Sequence, residues 1–278
     1  MRQKFKQRQL LMGLLALVLL LAVAGCGKQT TTVDPQAPKE FDISVYQNHD
    51  FLITAQQLKG MLGSDNLVLI DCNKPDIYAS EHIPGAIGVG FQAFSDAVGK
   101  PGDPGWGTIK NKEDLQIKLA SLGIDNNKTI VFYSDVFKGP GADGRAVWQL
   151  KQAGMDNVKL LVGGLSYWKE LGYEVTNEAA QPKPAAGVVL KDYDPGYAAT
   201  KDYVFSNLGQ QVIVDVRTEG EFKGSQKSGE PRGGHIAGAV NLLWTDLLNK
   251  DGTPKTPDEI KTLMATFNIK PADDFIVY

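Results

Sequence analysis

Past an apolar leader, the 278-residue sequence predicts an α/β protein of two domains, each a parallel sheet flanked by helices, the second incomplete. Three observations predict it. The chain repeats itself: Asp71-Cys72-Asn73 returns as Asp215-Val216-Arg217, and Glu81-His82-Ile83-Pro84-Gly85-Ala86 returns as Gly234-His235-Ile236-Ala237-Gly238-Ala239. In both copies short apolar strand runs alternate with stretches of helical periodicity, the pattern of a parallel sheet with crossover helices. The second copy reaches Tyr278, the counterpart of Tyr133, more than 40 residues before the pattern of the first copy closes.

The leader comes first. Residues 1–9 are basic and polar, and residues 10–25 are 16 residues without a charge. That run is short for a spanning helix and right for a signal-peptide core. Val23, Ala24 and Gly25 precede Cys26, which resembles the lipobox of bacterial lipoproteins. The expectation is a signal peptide over 1–25 and a lipidated Cys26 heading a polar tether over 26–44. Several acyl chains on one cysteine anchor a protein stably where a single chain does not. The expected location is the bacterial cell envelope, lipid-anchored, facing the periplasm or the exterior.

The first copy is placed at 45–176. Thr54-Ala-Gln-Gln-Leu58 runs to Leu62-Gly63, 67–70 is an apolar strand, and Leu115, Leu119 and Leu122 recur at helical spacing. A strand over Thr129–Tyr133 leads into a glycine-rich loop over 138–144. A helix over 145–153, a strand over 158–162 and a closing helix over 166–171 with Trp168 follow. An Ala/Pro/Gln-rich stretch over 177–187 reads as the linker. The second copy, 188–278, repeats the pattern: Thr200-Lys-Asp-Tyr-Val204 runs to Leu208-Gly209, a strand follows over 212–214, and nine extra residues fall in a Gly/Ser-rich loop over 224–233. Thr256-Pro257-Asp258-Glu259 then supplies an N-cap, a first-turn proline and a capping-box acid. Ile260, Leu263, Met264 and Phe267 form the apolar face that this helix is expected to bury, and a strand over 275–278 follows. Because buried parallel strands need covering helices, the expectation is that residues 1–278 are a fragment or a truncated product.

Charge and cysteine count exclude several classes. Removing the leader with its four basic residues leaves 25 basic against 32 acidic residues, a net charge of −7. A chain of that balance, without a basic patch, does not attract nucleic acid. Two cysteines, Cys26 and Cys72, make neither a disulfide framework nor a cysteine-rich metal site.

The ordered motifs, Val-Ile-Val-Asp-Val-Arg (212–217), Gly-His-Ile-Ala-Gly-Ala (234–239), Leu-Leu-Asn-Lys-Asp-Gly (247–252), His-Ile-Pro-Gly-Ala (82–86) and Gly-Gly-Leu-Ser-Tyr-Trp (163–168), resemble the rhodanese superfamily. Within it they resemble the tandem-domain thiosulfate/3-mercaptopyruvate sulfurtransferases. The resemblance covers about residues 45–278. It implies sulfane-sulfur transfer from a small sulfur-containing anion to a thiophilic acceptor through a cysteine persulfide, covalent catalysis in two half-reactions. It also implies that the cysteine opens the loop following Tyr278. No residue of the chain fills that role. The first copy has Ser134 and Asp135 at the matching place, which supply no thiolate. No metal or organic cofactor is implied.

Asp215, Arg217, Glu221 and His235 are the candidate site-shaping residues of the second copy. Asp71 and Asp215 sit where α/β sheets place their ligand crevices, and a carboxylate tying the adjacent loop is the preferred role for both. Arg217, with Asn73 as its counterpart, is the candidate for drawing in an anion. Glu221 departs from relatives that carry a basic residue near that place. His82 and His235 read as turn residues, Cys72 as a small buried residue, Arg145 as a helix-starting residue near the domain interface, and Trp106, Trp148, Trp168 and Trp244 as packing residues. A catalytically silent tandem module that binds a partner or a sulfur oxyanion is the alternative function. A phosphatase, which needs a longer Cys-x5-Arg loop, is more remote.

Overall fold

The computed structural model describes residues 39–278 apart from 91, 97–98, 101–102, 104 and 227–231. Cys26 and the leader lie outside the described residues. In chain order the elements are β1 (Leu52–Ile53), α1 (Ala55–Met61), β2 (Leu67–Asp71), α2 (Pro75–Ser80), β3 (Ile87–Gly88), β4 (Ser95–Asp96), β5 (Thr108–Ile109), α3 (Lys112–Ser121) and β6 (Thr129–Tyr133). Then come α4 (Ala142–Gln152), β7 (Val158–Leu161), α5 (Gly164–Glu170), α6 (Lys201–Ser206), β8 (Val212–Asp215), α7 (Glu219–Phe222), β9 (Val240–Asn241), α8 (Pro257–Ala265) and β10 (Phe275–Val277).

The first copy forms a five-stranded sheet in the order β1-β7-β6-β2-β3, every pair parallel. Side chains alternate across a strand, so β6 feeds two cores. Ile130 and Phe132 join Leu115 and Leu119 of α3 and Ala146, Val147 and Leu150 of α4. Val131 and Tyr133 join Ala55 and Leu58 of α1 and Leu165 and Trp168 of α5. Helices therefore cover both faces, as a parallel sheet requires. The second copy has the order β10-β8-β9, also parallel. This reproduces β6-β2-β3 strand for strand. Its cores are smaller: Ile213, Ala239 and Ile276 on one face, Val214, Leu242 and Ile269 on the other.

Thr54, Thr218 and Thr256 each close a capping box, with Gln57, Glu221 and Glu259 respectively, which fixes where α1, α7 and α8 begin. Four expectations need correction. The helix expected from Arg145 begins at Ala142, behind a left-handed Gly141, which puts Asp143 in its first turn. The apolar face of α8 is only half-buried: Leu263, Met264 and Phe267 rest on the Val214 cluster. Val188 and Leu190, read as opening the second copy, are buried in the core of the first. Beside them Ala185 N–H donates to Ala120 O at 2.8 Å and Lys191 N–H to Ala153 O at 2.9 Å. Trp148 is no packing residue, with 38% of its surface exposed, whereas Trp168 is 1% exposed.

Candidate functional site

The site is built at the C-terminal ends of β8 and β10. Asp215 ends β8 fully buried. Its Oδ1 accepts from the Arg217 backbone N–H at 3.0 Å and from Arg217 Nε at 3.0 Å, and its Oδ2 accepts from Arg217 Nη2 at 2.6 Å. This bidentate fork is the geometry that suits a guanidinium to a carboxylate. Arg217 Nη2 also donates to Gly234 O at 2.9 Å, and the guanidinium lies 5.3 Å from the Tyr278 ring centroid. The Tyr278 hydroxyl accepts from Ile236 N–H at 2.9 Å. Arg217 thus ties the end of β8, the turn at 234 and Tyr278 into one unit. Burial pushes the Asp215 carboxyl up, but the hydrogen bonds from Arg217 outweigh it and hold the group below the usual carboxylate range. Its hydrogen bonds to Asp215 raise Arg217 in turn.

The first copy repeats the frame without the cation. Tyr133 hydroxyl accepts from Ile83 N–H at 3.0 Å, as Tyr278 does from Ile236. Cys72 N–H donates to Tyr133 O at 2.9 Å, as Val216 does to Tyr278 O at 3.0 Å. Asp71 Oδ1 accepts from Asn73 N–H at 2.7 Å. Asn73 uses its own Oδ1 to accept from Asp135 N–H at 2.7 Å. Lacking a guanidinium, the Asp71 carboxyl is pushed up by burial.

Of the residues read from the sequence, the structure brings Asp215 and Arg217 together. Glu221 is engaged elsewhere: Oε2 accepts from Thr218 N–H at 3.2 Å and Thr218 Oγ1 at 2.5 Å, closing the capping box of α7. His235 stacks on Phe222 at 3.7 Å between ring centroids, with Nδ1 2.8 Å from Phe222 O. His82 stacks on Tyr78 at 4.0 Å, with its two ring nitrogens beside Tyr78 O and Glu178 O. Cys72 is buried, and burial drives its thiol well above its ordinary value. The tyrosine hydroxyls are what the sequence reading missed. Tyr133 and Tyr278 served there only to set the repeat register, and their recurrence before the loop was the available signal.

A protein-family model described as the rhodanese-like domain matches residues 54–171 and 200–278, both copies. The chain belongs to the rhodanese-like family. It is 30% identical over 244 residues to the thiosulfate sulfurtransferase of Corynebacterium glutamicum, covering 84% of this chain and 78% of that one. It is 30% identical over 224 residues to the mouse 3-mercaptopyruvate sulfurtransferase, covering 75% and 73%. The rhodanese fold of the Escherichia coli 3-mercaptopyruvate sulfotransferase SseA superposes with a TM-score of 0.67 at 24% identity, covering 82% of this chain and 87% of SseA. EanB superposes at 0.70 with 21% identity, and the chain spans 59% of its length. The last two likenesses establish the rhodanese fold.

Proposed function

We propose that this rhodanese-like protein is a sulfurtransferase that moves a sulfane sulfur from thiosulfate or 3-mercaptopyruvate to a thiophilic acceptor, and that the sulfur rides on a cysteine at the position following Tyr278. The observation carrying this reading is the Asp215–Arg217–Tyr278 unit. The Arg217 guanidinium is fixed beside Tyr278, the residue that follows β10, at the strand end where open α/β sheets bind ligands. Cys72 is no candidate for the nucleophile, because the thiolate is the reactive form and burial suppresses it. In the first half-reaction the cysteine thiolate attacks the outer sulfur of thiosulfate, whose S–S bond breaks to release sulfite, or the thiol sulfur of 3-mercaptopyruvate, whose C–S bond breaks so that pyruvate leaves as its enolate and takes up the proton of the thiol. In the second, the acceptor takes the sulfur and the thiolate returns. Arg217 positions the loop and offsets negative charge on the donor.

The codon after Tyr278 tests the reading first. A cysteine there, whose change to serine abolishes thiocyanate formation from thiosulfate or 3-mercaptopyruvate with cyanide, supports it. Any other residue there makes the protein the silent binding module, and turnover by residues 1–278 alone would show the nucleophile misplaced. We further propose that Cys26 is lipidated and holds the protein at the bacterial cell envelope. Cys26→Ala is expected to abolish labelling with a palmitate analogue and to release the protein from membranes. Retained labelling overturns this.

A further inference from the structure

His82 makes contacts that the proposed reaction does not use. It is fully buried just past the end of α2, and both of its ring nitrogens face backbone carbonyls. Nδ1 lies 2.7 Å from Tyr78 O, and Nε2 lies 3.1 Å from Glu178 O. A carbonyl oxygen only accepts, and a neutral imidazole has one N–H to give. Both contacts are hydrogen bonds only when the ring is an imidazolium, with a proton on each nitrogen. The Tyr78 ring, stacked at 4.0 Å and 16°, offers that cation its face. Asp71 stands nearby at the end of β2: burial pushes its carboxyl up, and a positive charge on His82 is among the influences that draw it back. The Tyr133 hydroxyl of β6 accepts from the N–H of the next residue, Ile83. Glu81, the preceding residue, is paired with Lys169 of α5, and the Glu178 side chain is exposed.

Glu178 belongs to a strap, residues 174–191, that leaves α5 and runs over the first copy. Thr176 pairs with His82 through two backbone hydrogen bonds of 2.8 Å, and Ala185 N–H donates to Ala120 O at 2.8 Å. The Asn126 side chain holds both backbone groups of Val189 at 2.8 Å, and Lys191 N–H donates to Ala153 O at 2.9 Å. These fastenings carry no titratable group; the one at Glu178 does. Just beyond it, residues 180–183 of the strap border a cavity of 350 Å³ with Leu67, Leu69, Ile87 and Leu122. We propose that His82 is a proton-dependent staple of this strap. As the imidazolium it ties the end of α2 to Glu178. When it loses a proton, the shorter contact, to Tyr78 O, keeps the remaining N–H, and the bare Nε2 turns its lone pair on the Glu178 carbonyl. Protonation and closure of the strap therefore favour each other, and the strap loosens as pH rises through the titration of the ring. The second copy offers a comparison. His235 stacks on Phe222 with Nδ1 2.8 Å from Phe222 O, but it is exposed, and its Nε2 meets no carbonyl among the described residues. The staple operates whether or not the second copy transfers sulfur.

The test follows the 15N-labelled full chain by NMR from about pH 5.5 to about pH 8, the span in which histidine changes charge. The His82 ring signals are expected to show two protonated nitrogens at the acid end and a bare Nε2 at the alkaline end. Over the same span the Thr176 and Glu178 amides, which donate to His82 O and Thr176 Oγ1, are read for hydrogen exchange corrected for the intrinsic rate. They should lose protection by about tenfold or more, the worth of one hydrogen bond from a charged donor. The Ala185 amide should keep its protection. In His82→Gln, whose amide nitrogen does not titrate, the pH dependence at Thr176 and Glu178 should vanish. The wild-type ring signals decide the matter should that variant fail to fold. A ring with one bare nitrogen at every pH, or with two protons at every pH, overturns the proposal. So does wild-type strap protection that stays flat while the ring titrates, or that follows pH equally in His82→Gln.

Discussion

At the end of β8 the buried Asp215 carboxylate meets Arg217; at the end of β2 its counterpart Asp71 meets Asn73. The two carboxylates titrate in opposite directions for that reason. Asp215 has a depressed folded value, so its contribution to stability is present at neutral pH and is lost as pH falls through that value. Asp71 has a raised folded value, so folding is favoured most below the ordinary carboxylate range, and that advantage is lost as pH rises through the raised value. Arg217→Asn is expected to lower stability at pH 7 by about 2–3 kcal/mol, less than a fully buried pair because the guanidinium is partly exposed. Urea unfolding checks this, and the deficit should shrink in acid, where the wild type loses the same contribution. Asp71→Asn should raise stability at pH 7 by about 1 kcal/mol, since its Oδ2 is buried without a hydrogen bond. That gain should vanish once acid has protonated the wild-type group. A loss at pH 7 would contradict the account.

Elements were legible in the sequence where local chemistry decides them. The start of α8 followed from Thr256, Pro257 and Glu259, and all three play the expected parts. The start of α4 did not, because Gly141-Ala142-Asp143-Gly144 has loop composition, and only the left-handed Gly141 shows the chain turning into a helix there. The inward turn of Asp143 was hidden with it. The linker was misplaced for a related reason: the Ala/Pro/Gln stretch ends at Gly187, so the apolar run Val188-Val189-Leu190 resembled the opening of a new unit. Which core receives such a run is a tertiary fact that periodicity does not carry. Asp215 and Arg217 were legible as residues, whereas the Tyr278 hydroxyl that completes their unit needed the backbone at Ile236 to be placed. Leu190→Ala tests the reassignment. It should cost about 2–3 kcal/mol, as for a buried leucine truncated in a packed core, and the amides of α3 and α4 should lose hydrogen-exchange protection. Protection lost around β8 instead would return the segment to the second copy.

Over the whole molecule, the two copies share a strand order but not a depth of burial. β6 lies between β7 and β2, and its side chains enter the two largest cores. Its counterpart β10 pairs with β8 alone among the described strands, and Phe275 and Val277 remain 43% and 50% exposed. They line a cleft of 1090 Å³ together with Trp148 of the first copy and Tyr197 and Tyr203 of the second. The copies touch at a second place, where Tyr46 Oη donates to Lys255 O, and where a methyl on Gly252 would stand 3.2 Å from Gly163 O. Local stability follows buried apolar contact and hydrogen bonds shielded from water. The second copy should therefore open without the first. Native-state hydrogen exchange of the full chain should give β6 amides an opening free energy larger than that of β8 and β10 by about 3 kcal/mol, roughly hundredfold slower exchange. Adding denaturant should merge the second-copy strands into one early sub-global opening while β6 still reports global unfolding. Equal opening energies in both sheets would mean that the Tyr46 and Gly252 contacts couple the copies into one cooperative unit. Gly252→Ala, with a side chain at φ +83° against Gly163, should then uncouple them.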